Sequence, residues 1–286
     1  MSQLATRDLT VRFGGHVAVN GVTCSFEPGT LTAIVGPNGA GKTTYFNLIS
    51  GQLKATAGRV TLDGRDLSDL PPSGRTRAGL GRAFQLTNLF PHLTVLENVR
   101  LAVQATRGGS HRRGFNLWSI WSDHRDLIAR ADEILAAIEM KAKEREIVAN
   151  LPHGDQRKLE VALLMALEPT VFMFDEPTAG MNAAEAPVIL NLIRQLKADR
   201  SKTILLVEHK MDVVRELADR IIVLHNGALV ADGEPAQVIA SPIVQEAYLG
   251  VAPGGRDAQD ASGRDVAPPT PSLPSRGGLP SDGGAR

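Results

Sequence analysis

Eight consecutive residues, Gly36-Pro37-Asn38-Gly39-Ala40-Gly41-Lys42-Thr43, fit the pattern G-x-x-x-x-G-K-[ST] at every fixed position. Glycines at this spacing let successive backbone N–H groups turn inward around phosphate oxygens, and the helix that follows adds its positive N-terminal end. Lys42 is placed to reach the β- and γ-phosphates of a nucleotide, and the Thr43 hydroxyl to hold Mg²⁺. The flanking sequence suits this chemistry: an apolar run ends at Gly36, and a helical pattern begins near Lys42 and runs through Leu48 and Ile49. A glycine turn with a stray lysine does not account for the whole set.

Far downstream, Val171-Phe172-Met173-Phe174-Asp175-Glu176 carries four apolar residues into two carboxylates. An acid at such a strand end assists the metal in enzymes with this phosphate loop, which assigns Asp175. The next carboxylate, Glu176, is suited to orient the attacking water or take its proton. Two acids capping a strand explain each residue alone but not the pair opposite a phosphate loop. Together these groups predict ATP hydrolysis, with ATP and Mg²⁺ as its requirements.

The elements that must position these groups follow from hydrophobic patterning. Leu31–Gly36, Thr170–Asp175, Thr203–Glu208 and Ile221–Leu224 are short apolar runs, several of them continuous, as expected of strands covered on both faces of a parallel sheet. Val188–Lys197 places Ile189, Leu192, Ile193 and Leu196 on one helical face, with Pro187 at its start. Asn226-Gly227 predicts a tight hairpin to Ala228–Ala231. Asp126–Glu139 and Gln156–Leu167 are helical by pattern, so about residues 91–167 are expected to form a helical insertion. The fold class is α/β: a mainly parallel sheet with antiparallel β elements and an inserted α-helical subdomain.

Composition narrows the field. Lys plus Arg and Asp plus Glu are 31 each, giving a formal net charge of zero, which argues against a general nucleic-acid binder. Apolar residues at 43% suffice for a core. One cysteine, Cys24, forms no internal disulfide, and no Cys or His spacing suggests zinc. Met1–Thr10 lacks the apolar stretch of a secretory signal, and no run approaches the roughly 18–20 apolar residues of a membrane span. Residues 251–286, with 7 Gly and 6 Pro and few large apolar residues, are expected to be a disordered tail after a domain of residues 1–250.

With these motifs in order, Leu4–Gly250 resembles an ABC-transporter ATPase, whose core is of the P-loop, RecA-like type. The resemblance implies that Gly36, Pro37, Asn38, Gly39, Ala40, Gly41, Lys42, Thr43 and Thr44 bind nucleotide and that Phe13 stacks on adenine. It makes Gln85, in Arg82-Ala83-Phe84-Gln85, the glutamine that bridges Mg²⁺ or water and the membrane subunits. It reads Leu151-Pro152-His153-Gly154-Asp155-Gln156, before a helix, as the signature motif, with Gly154 and Asp155 meeting a partner's nucleotide in trans. Ala179-Gly180-Met181-Asn182 resembles the D-loop, and His209, in Glu208-His209-Lys210, the switch histidine at the γ-phosphate.

The signature departs from Leu-Ser-Gly-Gly-Gln: Pro152 replaces the serine, His153 the first glycine and Asp155 the glutamine, while Asn182 replaces the D-loop aspartate. These departures are similar to those of branched-chain amino acid importer ATPases, except that His153 stands where that group has an aromatic, often Tyr. So are Glu-His with Met211 two residues on, the insert Thr106–His124, and Ala247-Tyr248-Leu249-Gly250. The implied assembly has a second ATPase subunit, two integral membrane permease subunits and, indirectly, an extracytoplasmic solute-binding protein. It has no nucleic acid, and it sits at the cytoplasmic face of the inner membrane. Importers of urea, amides or aromatic acids share much of the pattern. A non-transport ABC ATPase is the other alternative, although the chain carries one phosphate loop and no sustained heptads.

Overall fold

The structure, a computed structural model, describes residues 3–83, 89–107, 125–183, 185–242 and 244–245. Their elements build two sheets. A six-stranded sheet runs β10-β9-β3-β8-β7-β6, where β3 is Leu31–Val35, β6 Leu80–Ala83, β7 Val171–Asp175, β8 Thr203–Val207, β9 Arg220–His225 and β10 Ala228–Gly233. All its pairings are parallel except β9 with β10. Every residue of β3, β7 and β8 is buried, as expected for strands without a solvent face. Asn226 (φ 49) and Gly227 (φ 77) make the tight turn of the β9–β10 hairpin.

The second sheet is antiparallel, in the order β2-β1-β4-β5, from β1 (Leu4–Phe13), β2 (His16–Phe26), β4 (Ala57–Leu62) and β5 (Arg65–Asp66). Between the sheets lies α1 (Lys42–Ser50), whose Tyr45, Phe46, Leu48 and Ile49 share one apolar cluster with Leu4, Phe26, Ile34, Leu205 and Ile222. Gly41 and Gly51, both in the left-handed region, bound this helix.

After the short α2 (Pro72–Arg77), the predicted insertion holds α3 (Val95–Arg107), α4 (Arg125–Ala137) and α5 (His153–Ala166). Its core is continuous with that of the sheet: Val99, Leu135 and Leu159 belong to one cluster with Phe172, Phe174, Leu206 and, on α6 (Ala186–Ala198), Ile189 and Ile193. Opposite, α7 (Met211–Leu217) and α8 (Pro235–Ala240) pack on β3 and β9 through Val214 and Val238. The expected tail, Ala247–Gly250 and most of the Thr106–His124 insert lie outside the described residues. Among the described residues no helix is long and apolar enough to cross a membrane.

One boundary is corrected. The expected helix after Gln156 begins at His153, with Pro152 at the N-cap, so Gly154 and Asp155 lie inside the first turn rather than in a preceding loop. Proline at a helix entrance has no N–H to leave unpaired, and it hides the start from a search for Ser, Thr, Asp or Asn caps.

Candidate active site

The parallel strands point their C-terminal ends to one side, where ligands bind in open α/β sheets. The C-terminal ends of β3, β7 and β8 and the segments beyond them carry Gly36–Lys42, Asp175-Glu176 and Glu208-His209 respectively. Three distant stretches thereby meet.

The loop after β3 is clamped by backbone. A Cβ on Gly36 (φ 153) would lie 2.2 Å from the Leu224 carbonyl oxygen on β9, and one on Gly41 (φ 95) 2.5 Å from the Ala18 carbonyl oxygen on β2. Gly227 N–H donates to the Ala40 carbonyl at 3.1 Å, and Asn20 N–H to the Gly227 carbonyl at 2.8 Å. The loop is thus wedged between β2 and the β9–β10 hairpin. Within it, Lys42 Nζ donates to the Gly36 carbonyl at 2.7 Å and the Pro37 carbonyl at 2.9 Å. Burial lowers the Lys42 pKa, and the negative Glu176 and Asp175 oppose that shift, so lysine and carboxylates share one electrostatic field. Thr43 is exposed at the start of α1, Thr44 is half-buried, and Phe13, at the end of β1, is 52% exposed.

Asp175 ends β7 and is buried, and burial pushes its carboxyl above the usual range. Arg82 on β6 offsets part of this shift by donating through Nη2 to Asp175 Oδ2 at 2.8 Å. Glu176 takes a left-handed backbone (φ 51), which non-glycine residues rarely adopt, and its N–H is tied to the Val207 carbonyl at 2.9 Å. That turn aims Glu176 Oε1 at His209 Nε2, 2.8 Å away. The partner loops are braced beneath: buried Glu208 accepts from Thr178 Oγ1 at 2.8 Å and from His209 N–H at 2.7 Å. Lys42, Asp175, Glu176 and His209 are therefore gathered on one side of the sheet, and Gln85 lies outside the described residues.

The signature segment is held differently. Asp155 is 7% exposed and accepts from Lys143 Nζ at 2.5 Å, so its carboxylate is committed within its own protomer. Gly154 is buried under Glu185: a Cβ there would meet Glu185 Oε2 at 2.2 Å. Glu185 N–H donates to Asn182 Oδ1 at 2.9 Å and Asn182 N–H to Glu185 Oε2 at 3.3 Å, a reciprocal pair in the turn that leads into α6 at its N-cap, Glu185. Sequence reasoning missed Arg82, Lys143, Glu185 and Glu208 as organisers of the site. Only Asn182-x-x-Glu185 carries a local signal, that of a capping box.

The motif order and this geometry agree with the comparisons. A family model described as ABC transporter matches residues 19–179. The chain belongs to the ABC transporter family. Among ABC proteins it is 38% identical over 255 residues to LivG of Escherichia coli (strain K12), described as a high-affinity branched-chain amino acid transport ATP-binding protein. That alignment covers 88% of this chain and 100% of LivG. Identity to BraF of Pseudomonas aeruginosa, which carries the same description, is 37% over 250 residues, covering 87% of this chain and 98% of BraF. A solved ATP-binding cassette of an ABC transporter in its ADP conformation matches with a TM-score of 0.72 at 30% identity, over 88% of this chain and 100% of that one. A dimeric cassette in a post-hydrolysis state, bound to ADP and Pi, matches with a TM-score of 0.69 at 27% identity, over 81% of this chain and 98% of that one. As an ABC cassette with this fold, the chain is an ATPase of a transporter.

Proposed function

We propose that the chain is the ATP-hydrolysing subunit of an importer of branched-chain amino acids. The alignment with the LivG and BraF transport subunits along nearly their whole length carries the reading. In it, Phe13 stacks on adenine, and the Gly36–Thr44 loop cradles the phosphates through backbone N–H groups. Lys42 exchanges its loop carbonyls for β- and γ-phosphate oxygens. Thr43 and Asp175, with Gln85, are oxygen donors of the kind Mg²⁺ takes, and they would hold the ion, which offsets phosphate charge when bound. Glu176 orients and deprotonates water, and His209, bonded to it, senses the γ-phosphate.

Two such subunits work as a dimer, each phosphate loop facing the Gly154 end of α5 in the partner. The backbone N–H groups of that helix replace the missing signature serine, while Asp155 stays with Lys143. The membrane subunits dock beside β6 on the cytoplasmic face. There an apolar cleft of about 420 Å³ is lined by Phe90, Leu101, Ala105 and Leu164, and Phe90 is 54% exposed. An extracytoplasmic solute-binding protein delivers the cargo.

Uptake of labelled leucine, urea and benzoate by source cells carrying wild-type chain or Glu176→Gln tests the reading, after redundant importers have been deleted. Loss of leucine uptake alone is expected; loss of another tracer alone reassigns the cargo, and no loss removes the transport reading. In the purified protein, Glu176→Gln should keep ATP binding and lose on the order of a hundredfold or more in turnover.

A further inference from the structure

The buried pair of Arg82 and Asp175 has a geometry that the roles above do not use. Arg82 Nη2 donates to Asp175 Oδ2 at 2.8 Å. Its Nη1 faces the C-terminal end of α1 and the turn beyond it, with Asn47 Oδ1 at 2.6 Å, Ser50 Oγ at 2.9 Å and Gln52 Oε1 at 3.1 Å. The guanidinium lies over the Phe46 ring, 5.4 Å from its centroid. One rigid planar group therefore spans from the phosphate-loop helix to the carboxylate that ends β7. The two side chains are only 7% and 6% exposed, and at such depth desolvation consumes most of an ion pair's contribution to stability. What remains is direction: a guanidinium fork fixes both partners, which an ammonium on a flexible stem does not. The bond from Arg82 runs to Oδ2, and it orients the carboxylate.

We propose that Arg82 is a positioning residue for the metal carboxylate, locked to α1 and holding Asp175 in register with the phosphate loop. The inference rests on the reading that Asp175 holds the metal of MgATP. Groups that orient a metal ligand from behind change metal affinity by roughly 10–100-fold when removed.

The test is Mn²⁺ binding to the full chain in the presence of ATP, counted by electron paramagnetic resonance, beside ATP binding without metal. Arg82→Gln is expected to raise the half-saturating Mn²⁺ concentration about 10-fold or more and to leave metal-free ATP affinity within about twofold. Arg82→Lys should not restore it, because a lysine cannot bridge α1 and Asp175 together. Asn47→Ala, which keeps the ion pair and loosens its anchor, should shift Mn²⁺ binding in the same direction by less. It decides the matter if Arg82→Gln does not fold. An unchanged or tightened Mn²⁺ midpoint overturns the inference, as does a matching loss of metal-free ATP affinity, which would mark general damage. Asp175→Asn separates the two layers. If it leaves Mn²⁺ binding intact, the metal reading itself fails and this inference falls with it; if it weakens Mn²⁺ binding and Arg82→Gln does not, only the inference fails.

Discussion

The phosphate loop and the Gly154 end of α5 are built on different principles. The phosphate loop is fixed by main chain against main chain: Gly36 under the Leu224 carbonyl, Gly41 under Ala18, Ala40 bonded to Gly227. The signature end is fixed by side chains: Lys143 on Asp155, and Glu185 folded over Gly154. The first arrangement leaves no room for an added atom at Gly36 or Gly41, whatever the solvent. The second is set by charge, and it responds to salt, pH and compensating substitution.

Gly36→Ala should do the most damage. Its methyl group would sit 2.2 Å from a carbonyl oxygen in a strand that cannot withdraw, so a loss of about 3 kcal/mol or more is expected, with nucleotide binding abolished. Urea unfolding and ATP titration check both; a well-folded variant that binds ATP normally would break the contrast. Gly154→Ala is the counterpart at the other end. The same short distance there involves the tip of a flexible glutamate, so the variant should lose only about 1 kcal/mol as Glu185 is displaced. In a Glu185→Ala background the sign should reverse, alanine being the better helix former by up to about 1 kcal/mol. A double-mutant cycle reads this directly, and additive effects would show that Glu185 and Gly154 are not coupled.

The smallest effect belongs to the Lys143–Asp155 pair. Its hydrogen bond with Asp155 raises the Lys143 pKa above its usual value, so the folded state holds that proton more tightly than the unfolded chain. The contribution is present in full below the unfolded value of 10.5 and is lost as pH rises through the higher folded one. Lys143 is more than a third exposed, so solvent screening limits it to about 0.5–1 kcal/mol. Lys143→Met should remove that amount at pH 8 and flatten the dependence above pH 10.5, and salt should weaken the wild-type pair. Thermal melts at two pH values and two ionic strengths measure it.

The same division explains what was legible in the sequence. The phosphate loop, the β7 carboxylates and the β9–β10 hairpin announce themselves because glycine spacing, a continuous apolar run and Asn-Gly each encode a backbone geometry locally. The long strands β1 and β2 carry no such mark: register shifts interrupt their alternation between Thr6 and Leu9 and again between Leu9 and Val11. Arg82 and Glu208 were illegible as site residues for another reason. A charged residue in or beside a strand reads as solvent-facing, and its burial is explained by partners such as Asp175 and Thr178, far along the chain. The start of α5 was hidden because a proline stands where a hydroxyl or carboxylate cap is sought.

The clamp on the phosphate loop also bears on how the protein is made. Its residues leave the ribosome early, yet Leu224 and Gly227, which shape the loop, and β8 and β9, which flank β3, come from the last third of the cassette. During synthesis the motif is therefore present long before it is a site. A nascent chain halted short of β9 carries the loop glycines and the Ala18 that faces Gly41, and lacks the Leu224 and Gly227 that hold Gly36 and Ala40. The side of the loop that Leu224 and Gly227 wall is thus completed only when translation of the cassette is nearly finished.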